Sequence, residues 1–198
     1  MNRQKTRDPL LAMSELRDSF RFRGGHAALD FAATLAARMK PSPRELLETP
    51  ADLDRWLAAA DLSSRLPSTA NDLSSARALR EAIYSLSTAV IAGVPLLPDA
   101  VATLNRIAQA PSAVPHLGDD GRLHLDGPPS AFLATLARDA IQLFGADSAG
   151  RLRQCESDSC ALLFLDTSRG GDRRWCSMTG CGNKAKVAEF RRRKREAS

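Results

Sequence analysis

Apolar residues recur at helical spacing through most of the first 145 positions. In "PADLDRWLAAADL", Leu53, Trp56, Leu57 and Ala60 fall at i, i+3, i+4 and i+7, which places one apolar stripe along a helix. From Asp72 to Ala92, the residues Leu73, Ala76, Leu79, Ile83, Leu86 and Val90 continue at similar spacing, and Gly93 and Pro95 predict the end of that helix. Val101, Leu104 and Ala108 predict a shorter one. Ser130 reads as the N-cap of a helix carrying Phe132, Leu133, Leu136, Ala140, Ile141 and Phe144. Residues 27–39 predict the first helix, entered through Gly24 and Gly25. One stretch breaks the period: "VPHLGDDGRLHLDG" alternates around Asp120-Gly121 and predicts a small β-hairpin.

The last quarter of the chain differs in kind. All eleven prolines lie at or before Pro129, and all four cysteines at or after Cys155. The small and polar "GADSAGR" lies between them, so the composition predicts a helical domain over 1–145 and a second unit over 152–198. Residues 151–198 hold 12 Lys+Arg against 6 Asp+Glu, whereas the first 150 hold 16 against 17. The net charge of +5 therefore belongs to the second unit. Arginine outnumbers lysine 23 to 5 along the whole chain, a bias expected of a GC-rich bacterial genome and not in itself a sign of phosphate binding. No stretch approaches the ~18 apolar residues of a membrane span, and the N-terminus lacks a signal peptide's apolar core. A cytoplasmic, reducing location is the expectation, and there cysteines bind metal more often than they form disulfides.

The cysteines Cys155, Cys160, Cys176 and Cys181 form C-x4-C-x15-C-x4-C. Two close pairs across a hairpin-sized spacer suit one tetrahedral Zn²⁺, with a redox pair or inert thiols as the alternatives. Roughly 50 residues bury too little to fold without a metal or a disulfide, which disfavours inert thiols. Four protein ligands leave no open position, so the zinc would be structural. The spacer "ALLFLDTSRGGDRRWC" predicts a strand, a turn at Gly170-Gly171 and a return strand ending at Trp175. Beyond Cys181, "GNKAKVAEFRRRKR" predicts a helix from about 183 to 195, ~18 Å long. Val187 and Phe190 are expected to face the zinc core, while Lys184, Arg191, Arg192 and Arg195 project outward. Those cations, with the flanking Arg173 and Arg174, are candidate phosphate contacts. Asn183 and Lys184, at the helix start, are candidates for sequence preference. The competing reading is a solvated basic terminus.

These residues also carry a family resemblance. "RRWCSMTGCGNKAKVAEFRRRKR" resembles the CGNR zinc-finger signature, in which Arg-Trp-Cys precedes Cys-Gly-Asn-Arg and a basic helix. Here Cys181-Gly182-Asn183-Lys184 carries lysine for the motif's arginine, which keeps the charge but not a bidentate fork. "CESDSCALLFLDTSRGGDRRWC" matches the same family's upstream Cys pair and its Phe-x-Asp-x-Ser segment. "FRGGHAALDFAATLA" is similar to the Gly-Gly-x-x-Ala-Leu-Asp-Phe opening of the ABATE domain, with Ala33-Thr34 where that family usually has Asn-Thr. The resemblance implies a bacterial, stress-responsive transcription regulator: a helical sensor or homodimerisation scaffold joined to a DNA-binding finger.

The fold expected is mainly α: a helical N-terminal domain with a small β-hairpin, then a treble-clef or ribbon-like finger of hairpin and basic helix. His26 and Asp30 are candidates for a ligand pocket or for capping the first helix. His116 and His124 read as surface histidines of the hairpin. No Gly-rich phosphate loop, Ser-His-Asp set or carboxylate pair appears, so an enzyme is not expected. The two function classes are DNA-binding regulator and interaction adaptor, the latter docking RNA or an acidic protein surface.

Overall fold

The computed structural model describes residues 16–62, 64, 66–157 and 160–196. Six α-helices run in chain order: α1 (Ala27–Ala32), α2 (Pro50–Ala59), α3 (Ala70–Ala92), α4 (Pro98–Ala108), α5 (Pro129–Gly145) and α6 (Asn183–Glu196). Four antiparallel two-stranded ribbons accompany them: β1 (Leu16–Arg17) with β2 (Phe20–Arg21), β3 (Leu35–Ala36) with β4 (Arg44–Glu45), β5 (Val114–Leu117) with β6 (Leu123–Asp126), and β7 (Leu152–Gln154) with β8 (Leu163–Leu165). The chain is mainly helical, with small β-hairpins, as the periodicity predicts.

Helix α3 is the spine, and α1, α2, α4 and α5 all pack on it. Its start is a reciprocal cap: Asp72 N donates to Thr69 Oγ1 at 3.2 Å, and Thr69 N donates to Asp72 Oδ2 at 2.9 Å. Its end is Gly93, left-handed at φ 64°, which only glycine adopts without strain. The predicted stripe is buried from Leu73 to Leu86. Trp56 of α2 is wholly buried, edge-on to Phe31 at 4.8 Å and stacked on Phe22 at 5.9 Å.

Three expectations need correction. The first helix ends at Ala32, well short of residue 39. Thr34 Oγ1 turns back to donate to Phe31 O (2.8 Å), and Thr34 O accepts from Leu46 N (3.0 Å), so residues 35–36 become a strand. Pro41 and Pro43 hold the following stretch away from helix. Second, α5 begins one residue before Ser130, with Pro129 at its first position and Pro128 as its cap. Third, β8 does not pair with a return strand ending at Trp175. It pairs backward with β7, Leu152 opposite Leu165 and Gln154 opposite Leu163. Among the described residues the return segment makes one backbone–backbone bond to the cysteine knuckle, Glu156 N to Arg174 O at 3.0 Å.

The expected division near 145–152 falls on a 3-10 turn over Asp147–Arg151, but the two sides share a core. Leu152 and Leu163, both in the finger's ribbon, are buried in the same cluster as Leu29, Phe31 and Leu79. At the end of β8, Leu165 N donates to Gly24 O at 2.8 Å.

That last bond explains the Gly-Gly-x-x-Ala-Leu-Asp-Phe segment. A Cβ on Gly24 would lie 2.7 Å from Leu29 Cβ, so only glycine lets the loop close onto α1. Gly24 N then donates to Asp30 Oδ1 at 2.7 Å. The segment is a dock for the finger.

Candidate metal centre and nucleic-acid interface

The knuckle between β7 and β8 carries Cys155 and Cys160, and Cys155 N donates to Leu162 O at 2.9 Å to extend the ladder to the first ligand. Cys176 follows the return segment. Cys181 lies in a tight π-type turn over Met178–Gly182 that leads directly into α6. Ser177 shapes this turn, its hydroxyl accepting from Gly180 N (3.1 Å) and its carbonyl from Gly182 N (2.9 Å).

All four sulfurs lie within 4.8 Å of one another. Cys160 and Cys176 are 3.9 Å apart, and Cys176 and Cys181 3.8 Å. A tetrahedron with ~2.3 Å Zn–S bonds has edges of ~3.8 Å, so the donor set fits one zinc ion. The thiols themselves need such a cation. S–H groups of Cys160 and then Cys176 hold Cys155 far below the usual thiol range. The thiolate so formed pushes Cys160 up to about 11, and Cys155, Cys160 and burial together drive Cys176 higher still. One thiolate forms easily and holds Cys160 and Cys176 protonated, and a dication among the sulfurs would favour their ionised forms.

Around the sulfurs, two residues have roles that their motif position alone does not reveal. Asp166 is buried and accepts from Ser168 N (2.8 Å) and Arg173 N (2.9 Å). The Ser168 side chain, followed by these backbone donors, holds its carboxyl at about 2. The Phe-x-Asp-x-Ser segment is therefore the organiser of the loop returning to Cys176. Arg173 also works inward. Its guanidinium lies over the Phe164 ring at 4.7 Å and donates to Trp175 O at 2.9 Å and to Cys176 O. Arg174 is exposed and paired with Glu156 at 2.6 Å, over Trp175 at 4.9 Å.

Helix α6 buries no residue. Val187 and Phe190 do not face the zinc core; they are 41% and 68% exposed. The helix leaves the turn too directly for its second and third turns to reach back to the sulfurs. Five of its seven cations fall into two groups. Arg192 bonds Glu189 (2.8 Å) and Glu196 (2.8 Å), and Arg193 bonds Glu189 (2.7 Å). Lys184, Arg191 and Arg195 have no carboxylate partner among the described residues. Spaced i, i+7 and i+11, they share one ~40° sector along ~16 Å of helix, whereas Arg192 lies roughly 80° away. Asn183 is exposed where α6 begins.

His26 and Asp30 both have partners within the fold. His26 Nδ1 lies 3.1 Å from an Asp139 carboxylate oxygen on α5. Asp30 is buried beneath the Gly24 loop, and desolvation pushes its carboxyl up to about 7 against the backbone N–H groups of Gly24 and Arg23. On the hairpin, His116 and His124 stack at 5.5 Å, and His124 Nε2 lies 3.0 Å from Asp120 Oδ1. Among the described residues no helix is long and apolar enough to cross a membrane.

A comparison with curated proteins finds no match. The finger sequence matches the CGNR zinc finger over residues 151–194. Residues 25–147 match ABATE, described as "Putative stress-induced transcription regulator". With more than half its length matched and the finger following directly, the chain belongs to the ABATE family and ends in a CGNR zinc finger.

Proposed function

We propose that the protein is a cytoplasmic transcription regulator that binds duplex DNA through the face of α6 carrying Lys184, Arg191 and Arg195. The observation that supports this is the sorting of charge on the helix. Two arginines are neutralised by Glu189 and Glu196, while three cations on one face are left for an external anion. The zinc holds four thiolates and no water, so its part is to fix the turn from which α6 springs. Arg173 and Arg174, occupied within the finger, contribute little to the contact.

Three phosphate contacts imply a slope of log affinity against log salt of about −3, at −0.9 per contact. Fluorescence anisotropy across a salt series tests this. Arg191→Gln with Arg195→Gln is expected to flatten the slope by roughly two, and Arg192→Gln to leave it nearly unchanged. Equal effects of Arg192→Gln and Arg191→Gln would remove the basis of the reading.

A second reading draws on Val187 and Phe190, exposed on α6. An adaptor docking an acidic protein surface or RNA would use them, and its binding would survive loss of Arg191 and Arg195 but not Phe190→Ala.

A further inference from the structure

A cleft of about 410 Å³ opens between the β3–β4 ribbon and the finger, in the size range of small-ligand sites. Its charge is one-sided. Arg21 from β2, Lys40, Arg44 from β4 and Lys184 from α6 all line it. None of the four has a carboxylate partner among the described residues. Several arginines elsewhere are ion-paired: Arg17 with Asp61, Arg55 with Asp18, Arg80 with Glu45.

A fifth cation supplies a second observation. Arg38 also lines the cleft, with its Nη atoms on the Glu81 carboxylate (2.7 and 3.0 Å) and its guanidinium over Tyr84 at 4.1 Å. Its Nε is buried and has no acceptor. A buried donor without a partner is costly. Cys160 and Cys181 form part of the floor. A zinc tetrathiolate is a dianion, so it offsets at most half of the four unpaired cations.

We infer that this cleft binds a small phosphate-bearing anion no larger than a mononucleotide. Several cations closing on one volume suit a multiply charged group, and the arginine forks suit phosphate oxygens in particular. The site stands independently of the DNA reading. If that reading also holds, the two are linked, because Lys184 belongs to both the cleft and the cationic face of α6.

The test uses the full-length, zinc-loaded protein titrated calorimetrically with pyrophosphate and with inorganic phosphate at low salt. Saturable one-site binding is expected. Arg21→Gln and Arg44→Gln, both on exposed strand positions, should each weaken it by roughly tenfold, with zinc content and circular dichroism unchanged. Arg195→Gln, at the far end of α6, should leave it intact. Absence of saturable binding, or equal weakening by Arg195→Gln, would overturn the inference by reducing the cleft to diffuse attraction. A duplex titration separates the two sources of phosphate. An Arg44→Gln protein with an unchanged salt slope supports a small-anion site. A slope flattened by about one, without pyrophosphate binding, assigns the cleft to the duplex backbone and overturns it.

Discussion

Asp30 makes the stability of the helical domain depend on pH in an unusual direction. Burial pushes its carboxyl up to about 7 from an ordinary 3.8, so the folded state holds a proton that the unfolded chain releases. Stability from this group is fully present below the unfolded value and is lost as pH rises through the folded one. Between 3.8 and about 7 each pH unit changes the balance by ~1.4 kcal/mol. His26 and Arg17 bear on the same carboxyl, and both favour its charged form. Asp30→Asn keeps an oxygen for Gly24 N and removes the titration. The difference in unfolding free energy, wild type minus Asp30→Asn, should therefore fall by about 2 kcal/mol from pH 5.5 to 7 and level off above. For a chain of this size that is roughly 4–8 °C in relative melting temperature. Urea denaturation of both proteins across pH 5.5–8 measures it, and taking the difference cancels the groups that do not interact with Asp30. Asp166 has the opposite sign: its carboxyl, held at about 2, contributes stability that is present above 3.8 and lost as pH falls through about 2, outside this window. A difference that stays flat with pH would mean that Asp30 is ionised in the folded protein.

Two further outcomes follow from the shared core. Leu163→Ala, in the finger but buried among helical-domain residues, should cost ~2–5 kcal/mol as a core cavity. In a Trp175→Phe background, Trp56 fluorescence during denaturation should report that cost, and an unmoved Trp56 transition would contradict the packing. Chelation of zinc, or Cys181→Ser, should abolish the stoichiometric metal found by elemental analysis and lower the Trp56-reported stability too, because β8 anchors to Gly24. Metal-free protein with full stability would refute it.

What the sequence reveals follows from how local each determinant is. Helices α2 and α3 are legible because their buried stripes and caps lie within a few residues: Leu53, Trp56 and Leu57 in one, Thr69 and Gly93 bounding the other. The zinc ligands are legible because the members of each pair are five residues apart and need only the chemistry of sulfur. The early end of α1 is not legible, since it depends on Leu46 capturing Thr34 O from twelve residues away. The pairing of β8 with β7 is equally hidden, because the β-prone run is apolar on both faces and offers no alternation to choose a partner. Arg173 and Arg192 look like any other cations in a basic string. Only the placement of Phe164 and of Glu189 and Glu196 withdraws them from the surface charge. The cleft gathers Arg21, Arg44 and Lys184 from three distant segments and leaves no trace in any one of them.

The two ends of the finger are held by different forces, and this decides what the metal does. The β7–β8 ribbon is fixed by apolar burial and the Gly24 bond, in addition to the metal ligands Cys155 and Cys160 at its knuckle. Helix α6 has no such support. It buries nothing, and an isolated helix of 14 residues is marginal in water. Its connection to the rest of the protein runs through the Met178–Gly182 turn, whose one strong anchor is Cys181. Zinc thus joins a rigid platform to a helix that would otherwise fray, and it sets the direction in which Lys184, Arg191 and Arg195 point. Because Lys184 stands one turn from that anchor and also lines the cleft, the basic face is oriented from the end nearest the metal.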